Sequence, residues 1–153
     1  MHKESLHKET PVTVTARPAP SGAPANLIAP DTSGLNFYRA DPSLADLLRI
    51  HLPEKLFNHI DPHLDRLGAL AGGTLDDCAR LADKHGPVLH QRDRFGRDAQ
   101  WIEYHPAYRE LERAAFGEFG IHAMSLRKGI LGWPEKYPVV AKHAFTFLFN
   151  QAE

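Results

Sequence analysis

Prolines that follow capping residues set the lengths of the helices this chain can form. Proline suits the first turn of a helix and disrupts a helix interior, so each one marks a place where a helix begins or ends. Asp41 precedes Pro42, which pairs a side chain that caps helices with a proline at the first helical position. Leucines follow at the spacing of one helix face, so the pattern predicts a first helix over about 42–51.

The next proline, Pro53, predicts the start of a second helix with an apolar inner face. Asp61 and Pro62 then repeat the capping signal ahead of another run of apolar residues at helical spacing. We therefore expect the second helix to break at Pro62 and a third helix to run from there to Gly72.

Thr74 and Asp77 approximate a capping box, which predicts a helix from there to about His85. Over residues 88–105 the helical spacing is lost, and the string Arg-Phe-Gly-Arg-Asp at 94–98 is typical of a turn. We therefore expect a short β-hairpin or an extended loop near residues 88–105.

Pro106 opens the most regular amphipathic helix of the chain, with apolar residues on one side and charged residues on the other. Gly120 is expected to end it. The last segment, residues 139–149, is apolar on most sides, which is typical of a helix buried in a larger assembly.

Three aromatic rings lie close together in this last helix, at Phe145, Phe147 and Phe149. They cannot all face one small core, so we expect some of them to be exposed unless something covers them. The chain also reaches Glu153 without the glycine or proline that usually ends a helix. We therefore expect a fragment or truncation, whose C-terminal helix packs against missing downstream domains or a partner subunit.

Residues 1–34 contain no aromatic residue and are rich in proline, alanine and small polar residues. Such a composition buries too little apolar surface to offset the entropy lost on ordering. We expect a disordered tail over residues 1–34 and an ordered domain over 35–153. The whole pattern predicts an all-α fold, an orthogonal bundle of about 5–7 helices with one hairpin or extended loop.

Charge is balanced in this chain, with 18 Lys and Arg against 19 Asp and Glu. No positive field is available to attract nucleic acid or an anionic membrane surface, so we expect neither as a partner. No apolar run approaches the ~20 residues of a membrane span, and the first residues lack the apolar core of a signal peptide. The single cysteine, Cys78, cannot form an internal disulfide, which fits a reducing compartment. We infer a cytoplasmic location.

Several short strings in a fixed order carry a resemblance to a known family. They are Asn36-Phe37-Tyr38, Asp41-Pro42-Ser43-Leu44, Pro62-His63-Leu64-Asp65-Arg66-Leu67-Gly68, Arg94-Phe95-Gly96-Arg97-Asp98, His105-Pro106-Ala107-Tyr108 and Asn150-Gln151-Ala152-Glu153. Over residues 36–153 the chain resembles the N-terminal helical domain of the acyl-CoA dehydrogenase superfamily, in its adaptive-response, alkylation-resistance (AidB-like) branch. The order and spacing of the strings carry this resemblance, because each string alone is common.

The resemblance implies a homo-oligomeric, FAD-dependent flavoprotein that oxidises an acyl-CoA-type substrate at a CH–CH bond. In that family a helical domain is followed by a β domain and a four-helix domain. The flavin lies between the latter two, and the catalytic glutamate belongs to the last. This chain resembles only the first domain, so we expect it to hold no catalytic residue, to bind no cofactor by itself and to be inactive alone.

The first domain of that family forms one wall of the substrate channel and packs between subunits. By this resemblance, the candidates for facing a substrate or flavin edge are Phe145, Phe149 and Gln151. They lie in and just after the last helix, which would adjoin the β domain in the family.

A metal site and a protein-interaction module are the competing interpretations. His59 and His63 have the i, i+4 spacing of paired metal ligands, but the expected helix break at Pro62 separates them, so we predict no metal site. The rival function is a freestanding helical module without catalysis, which uses the apolar C-terminal helix to bind a protein partner or itself. A reading frame that continues past Glu153 would favour the flavoprotein.

Overall fold

The computed structural model describes residues 32–152 of the chain. Their elements in chain order are helix α1 (Phe37–Ala40), α2 (Pro42–His51), α3 (Glu54–Ala71), α4 (Thr74–Lys84), strand β1 (Val88–Arg92), β2 (Asp98–Glu103), α5 (Pro106–Glu112), a π-helical turn (Arg113–Glu118), two 3₁₀ turns (Ile121–Ala123 and Ile130–Gly132) and α6 (Val139–Phe149). The predicted helical fold with one hairpin is confirmed. Residues 1–31 of the predicted disordered tail lie outside the described residues. Within residues 32–152, no helix is both long enough and apolar enough to cross a membrane.

Helix caps organise the first part of the described region. Asn36 caps α1, because its Oδ1 accepts hydrogen bonds from the backbone N–H groups of Tyr38 and Arg39. Its Nδ2 donates to Asp65 on α3, so the same side chain also ties α1 to α3. Asp41 caps α2 as predicted, and α2 keeps its predicted bounds.

Helix α3 corrects one prediction, because it runs without a break through Pro62. A proline inside a helix costs about 3 kcal/mol, since it removes a backbone hydrogen bond and crowds the preceding turn. Burial outweighs this cost, because each large apolar side chain that leaves water contributes about 1.5–3 kcal/mol. The buried residues that continue in register on both sides of the proline are Leu56, Phe57, Ile60, Leu64, Leu67 and Ala71. Asp61 was expected to cap a new helix, but it accepts a hydrogen bond from Tyr38.

Two glycines of α3 let the N-terminal segment lie directly on the helix. A Cβ at Gly68 would stand 2.5 Å from Asn36 Oδ1, and a Cβ at Gly72 would stand 1.8 Å from the carbonyl oxygen of Leu35. Both distances are far below the separation of atoms in favourable contact, so larger residues do not fit. The backbone is tied there as well, since the N–H of Gly34 donates to the carbonyl of Gly72.

Helix α4 begins at the predicted residue, Thr74, and ends just before His85. The predicted capping box is wrong, because Gly73 occupies the cap position and no side chain caps this helix. The following turn of chain leads into the hairpin.

Strands β1 and β2 pair in an antiparallel hairpin, so the strand alternative for residues 88–105 is confirmed. The paired residues are Val88 with Glu103, Leu89 with Ile102, His90 with Trp101 and Arg92 with Asp98. Between the last two pairs the register shifts, so Ala99 and Gln100 of β2 both lie opposite Gln91 of β1. This extra residue makes a β-bulge in β2.

The core lies where α3, α6 and the segment after the π-helical turn meet. Its largest fully buried side chains are Ile60, Leu64, Leu67, Phe119, Met124, Phe145 and Leu148. Phe119 follows the π-helical turn and packs on Phe145 of α6, with ring centroids 6.2 Å apart. Gly120 ends the helix predicted from Pro106, in a left-handed backbone conformation with φ of 60°. That conformation, which glycine adopts without steric cost, turns the chain away from the helix axis.

Candidate functional site

An apolar groove lies between the C-terminal turn of α6 and the segment that joins α5 to Ile121. Its volume is about 350 Å³. The residues that line it are Tyr108, Leu111, Glu112, Ala115, Phe116, Ile121, His122, Thr146, Phe149 and Asn150. Helix α5, the π-helical turn and α6 each contribute part of the wall.

The π-helical turn shapes this groove. Such turns hold one more residue than an α-helical turn and occur frequently at functional sites. Here Ala114 and Ala115 are buried while the next residue, Phe116, is 55% exposed. The Phe116 ring lies at the groove, where it meets the His122 ring edge-on at a centroid distance of 5.3 Å. The turn therefore presents an aromatic ring at the surface between two buried stretches of chain.

Two of the polar side chains in the groove are already engaged within the chain. The hydroxyl of Thr146 donates to the carbonyl of Lys142 at 3.1 Å. The carboxylate of Glu112 accepts a hydrogen bond from Arg109 at 2.6 Å. Because most of the lining is hydrocarbon or aromatic, the groove fits an apolar group better than an ion.

The structure places the three predicted substrate-facing residues in different surroundings. Phe145 is fully buried against Phe119. Phe149 is half-buried and lines the groove. Gln151 follows α6, and its Oε1 is buried without a hydrogen-bond partner in the part of the chain that the structure describes. Of the three, only Phe149 lines the groove, while Phe145 supports the core.

A second apolar surface, the α6 outer face, consists of Val139, Val140 and Phe147. These side chains are 58%, 45% and 47% exposed, respectively. The prediction that the neighbouring phenylalanines cannot all be buried is confirmed, because Phe145 is buried, Phe149 is half-buried and Phe147 is exposed. The α6 outer face is therefore available to a further domain or chain.

The continuous helix α3 brings together two histidines that a break at Pro62 would have separated. The rings of His59 and His63 lie 5.4 Å apart, and His59 also packs on Trp133 at 5.1 Å. Burial lowers the pKa of His63, and the charges of His59 and Arg66 lower it further. Within residues 32–152, no cluster of three or more His, Cys, Asp or Glu residues could hold a metal ion.

Comparison with known proteins finds one family whose model matches most of the chain. A family model described as the adaptive response protein AidB N-terminal domain matches residues 28–153. No curated protein matches the chain significantly. The solved structure of Caenorhabditis elegans ACDH-11 in complex with C11-CoA is 19% identical in sequence to this chain. The match covers 92% of this chain, and the two superpose with a TM-score of 0.68. The structure titled Bd2924 apo-form is 24% identical, covers 81% of this chain and superposes with a TM-score of 0.67.

These two likenesses show a shared fold. The chain spans only about a quarter of each solved protein, 24% of Bd2924 and 23% of ACDH-11. The matched part includes all the helices described above, and with them the apolar groove and the α6 outer face.

Proposed function

Because the chain belongs to the family of the adaptive response protein AidB N-terminal domain, we propose that it acts as the N-terminal portion of an FAD-dependent, acyl-CoA dehydrogenase-like oxidoreductase of CH–CH donors. In this role it contributes a wall of the substrate channel and packs against further domains or partner subunits. By itself it is inactive. The bound C11-CoA in ACDH-11 supports an acyl-CoA-type substrate for the complete protein.

The apolar groove carries this proposal. It is open, it is lined by aromatic and aliphatic side chains, and Phe149 lies in it. A channel wall for an acyl chain needs apolar surface that excludes water without binding ions. The groove has this character, because its Thr146 and Glu112 side chains are satisfied within the chain.

The groove does not fit the phosphates of FAD. Phosphates are bound well at helix N-termini, where free N–H groups and the positive end of the helix dipole point at the anion. This groove lies at the opposite end of α6, beside Asn150, and it also contains the carboxylate of Glu112. The groove therefore supports only contact with an apolar edge of substrate or cofactor.

The chemistry of the complete protein would come from outside these residues. In the reaction class, a carboxylate removes a proton next to the acyl carbonyl and the flavin supplies the acceptor for the hydride. The residues of this chain would exclude water and position the acyl group, with Phe149 as the main apolar contact.

The first test is to mix the purified 153-residue chain with FAD and separate the mixture on a sizing column. We expect no flavin to elute with the protein. Stoichiometric flavin in the protein peak would overturn the assignment of flavin binding to other domains.

The second test replaces the N-terminal domain of a full-length AidB-type flavoprotein with this chain. We expect the chimera to retain FAD. Its Phe149→Ser variant should bind acyl-CoA at least about tenfold more weakly, because losing the apolar contact of this ring should cost at least about 1.4 kcal/mol of binding free energy, which corresponds to that factor. The matched control is Phe95→Ser at the exposed tip of the hairpin, which should leave binding unchanged. Equal binding by the chimera and its Phe149→Ser variant would contradict a channel-wall role for the groove.

The second candidate is a freestanding module that binds a protein partner or itself through α6 and performs no catalysis. The exposed α6 outer face favours it, since apolar patches on helices commonly mark protein contacts. The chimera separates the candidates, because a module unrelated to catalysis would not restore a flavin-retaining oxidoreductase.

A further inference from the structure

The β1–β2 hairpin exposes apolar side chains on both of its faces. The exposed large residues are Val88, Leu89, Phe95, Trp101 and Ile102, with exposures from 47% to 66%. A two-stranded hairpin is only marginally stable in water and needs a third strand or a packed helix. In the part of the chain that the structure describes, the sheet contains only these two strands. Among residues 32–152, no other strand pairs with the outer edges of the hairpin, and these edges lie beside exposed apolar side chains.

The two edges are not equivalent. Strand β2 contains the bulge opposite Gln91, and bulges disrupt the regular hydrogen-bonding pattern that a new strand would need. Strand β2 also carries Asp98 and Glu103 at its ends, whereas β1 carries no acidic residue. The outer edge of β1 is thus the more suitable edge for another strand.

The side chains of β1 are compatible with a second copy of the same strand. In an antiparallel pair centred on His90, the two His90 residues face each other and each contacts Glu103 of its own copy. Arg92 of each copy lies opposite Val88 of the other, so the two Arg92 side chains do not face each other. If β2 paired with itself end to end, Asp98 would face Glu103, and like charges directly opposite are destabilising. Charge therefore favours pairing through β1.

Symmetry also selects this pairing. Joining β1 of one copy to β2 of the next would leave unpaired edges at both ends and continue into a filament. A two-fold pairing of β1 with β1 closes on itself after two copies. It leaves only the bulged β2 strands at the outside.

We propose that two copies of this chain associate through their β1 strands into one four-stranded antiparallel sheet, in the order β2-β1-β1-β2. The His90–Trp101 stacks of the two copies, each with ring centroids 4.2 Å apart, then lie side by side on one face. Leu89 and Ile102 of both copies lie on the other face. The association requires neither flavin nor acyl substrate, so it stands apart from the function proposed above.

Site-specific disulfide formation tests this pairing in the 153-residue chain. In the four-stranded sheet, the two His90 positions are direct cross-strand neighbours with Cβ atoms about 4.5–5.5 Å apart, which a small adjustment brings to disulfide distance. The two Gln100 positions lie three strand spacings apart, roughly 14 Å, which is too far. The native Cys78 is buried, so the unmodified chain shows how much covalent dimer forms without an introduced cysteine.

We expect sedimentation velocity to show a concentration-dependent dimer of the unmodified chain. Under mild oxidation, His90→Cys should give mostly covalent dimer, whereas Gln100→Cys and the unmodified chain should give little. Far-ultraviolet circular dichroism controls for the helical fold of each variant. The proposal is overturned by a chain that stays monomeric at all concentrations. It is equally overturned by a dimer that neither cysteine links, which would put the interface elsewhere, or by one that both cysteines link equally well.

Discussion

The phenol of Tyr38 donates a 2.6 Å hydrogen bond to Oδ1 of Asp61, and this bond ties α1 to the middle of α3. Tyr38 is only 6% exposed. Burial raises the pKa of Tyr38, and the hydrogen bond to Asp61 raises it further, so the phenol remains a donor. Because α3 continues through Pro62, Asp61 has no helix start to cap, and its carboxylate accepts this bond instead.

Tyr38→Phe should therefore lower the free energy of unfolding by about 1.5–3 kcal/mol, the contribution of a hydrogen bond to a charged group. Urea denaturation followed by circular dichroism measures this loss. The matched control is Tyr108→Phe, because Tyr108 is exposed and should lose less than about 0.5 kcal/mol. Equal stability of the Tyr38→Phe variant and the unmodified chain would contradict the assigned bond.

Gly72→Ala should destabilise the domain by about 1–3 kcal/mol or more, because the new Cβ would collide with the carbonyl oxygen of Leu35. The φ of Gly72 is −84°, which alanine adopts freely, so the cost is purely steric. Gly86→Ala is the control, since nothing lies within 4 Å of a Cβ built there. Thermal unfolding of both variants compares the two positions. A Gly72→Ala variant as stable as the control would mean that the N-terminal segment does not lie on α3.

Alanine substitutions along α6 should separate its three phenylalanines. Phe145→Ala should cost about 3–5 kcal/mol, since the ring is fully buried, and Phe147→Ala should cost less than about 1 kcal/mol in the isolated chain. Phe149→Ala should fall between them, because its ring is half-buried. Urea midpoints rank the variants. A large loss at Phe147 would show that the α6 outer face is covered in the isolated chain.

The chain should lose stability below neutral pH through His63. Its folded pKa is lowered below the ordinary value near 6.5, so the unfolded chain takes up the proton more readily. This contribution to stability is complete above about pH 6.5 and is lost as pH falls through the lowered folded value. His63→Gln should therefore reduce the loss measured by urea denaturation between pH 7.5 and pH 5. His143→Gln, on the exposed side of α6, should not change it. An unchanged pH dependence in His63→Gln would contradict the assignment.

Local signals predict most of the helices because their caps are local. Asp41 and Pro42 fix the start of α2, and the Pro106 and Gly120 pair brackets the helix that follows the hairpin. The break expected at Pro62 is wrong because the same local signal competes with burial along the whole of α3. Which effect wins depends on packing against other helices, and a short stretch of sequence does not contain that information.

The candidate site was only partly predictable for the same reason. The resemblance named Phe149 as a substrate-facing candidate, but it predicted no groove, because the opposite wall comes from residues about 30 to 40 positions earlier in the chain. The π-helical turn that presents Phe116 has no simple sequence signature, since its residues read as ordinary helix. The hydrogen bond between Tyr38 and Asp61 likewise joins residues whose contact follows from tertiary packing.

The π-helical turn at Arg113–Glu118 also determines how a change in chain length would affect this surface. Because it holds one residue more than an α-helical turn, its length corresponds to a single-residue insertion in a helix. Deleting one residue there would restore α-helical spacing and remove the bulge that presents Phe116 at the groove. Because the bulge takes up the extra residue, Phe119 would keep nearly its present direction towards Phe145, so a change of one residue in chain length at this turn would reshape the groove while the core contact stays in place.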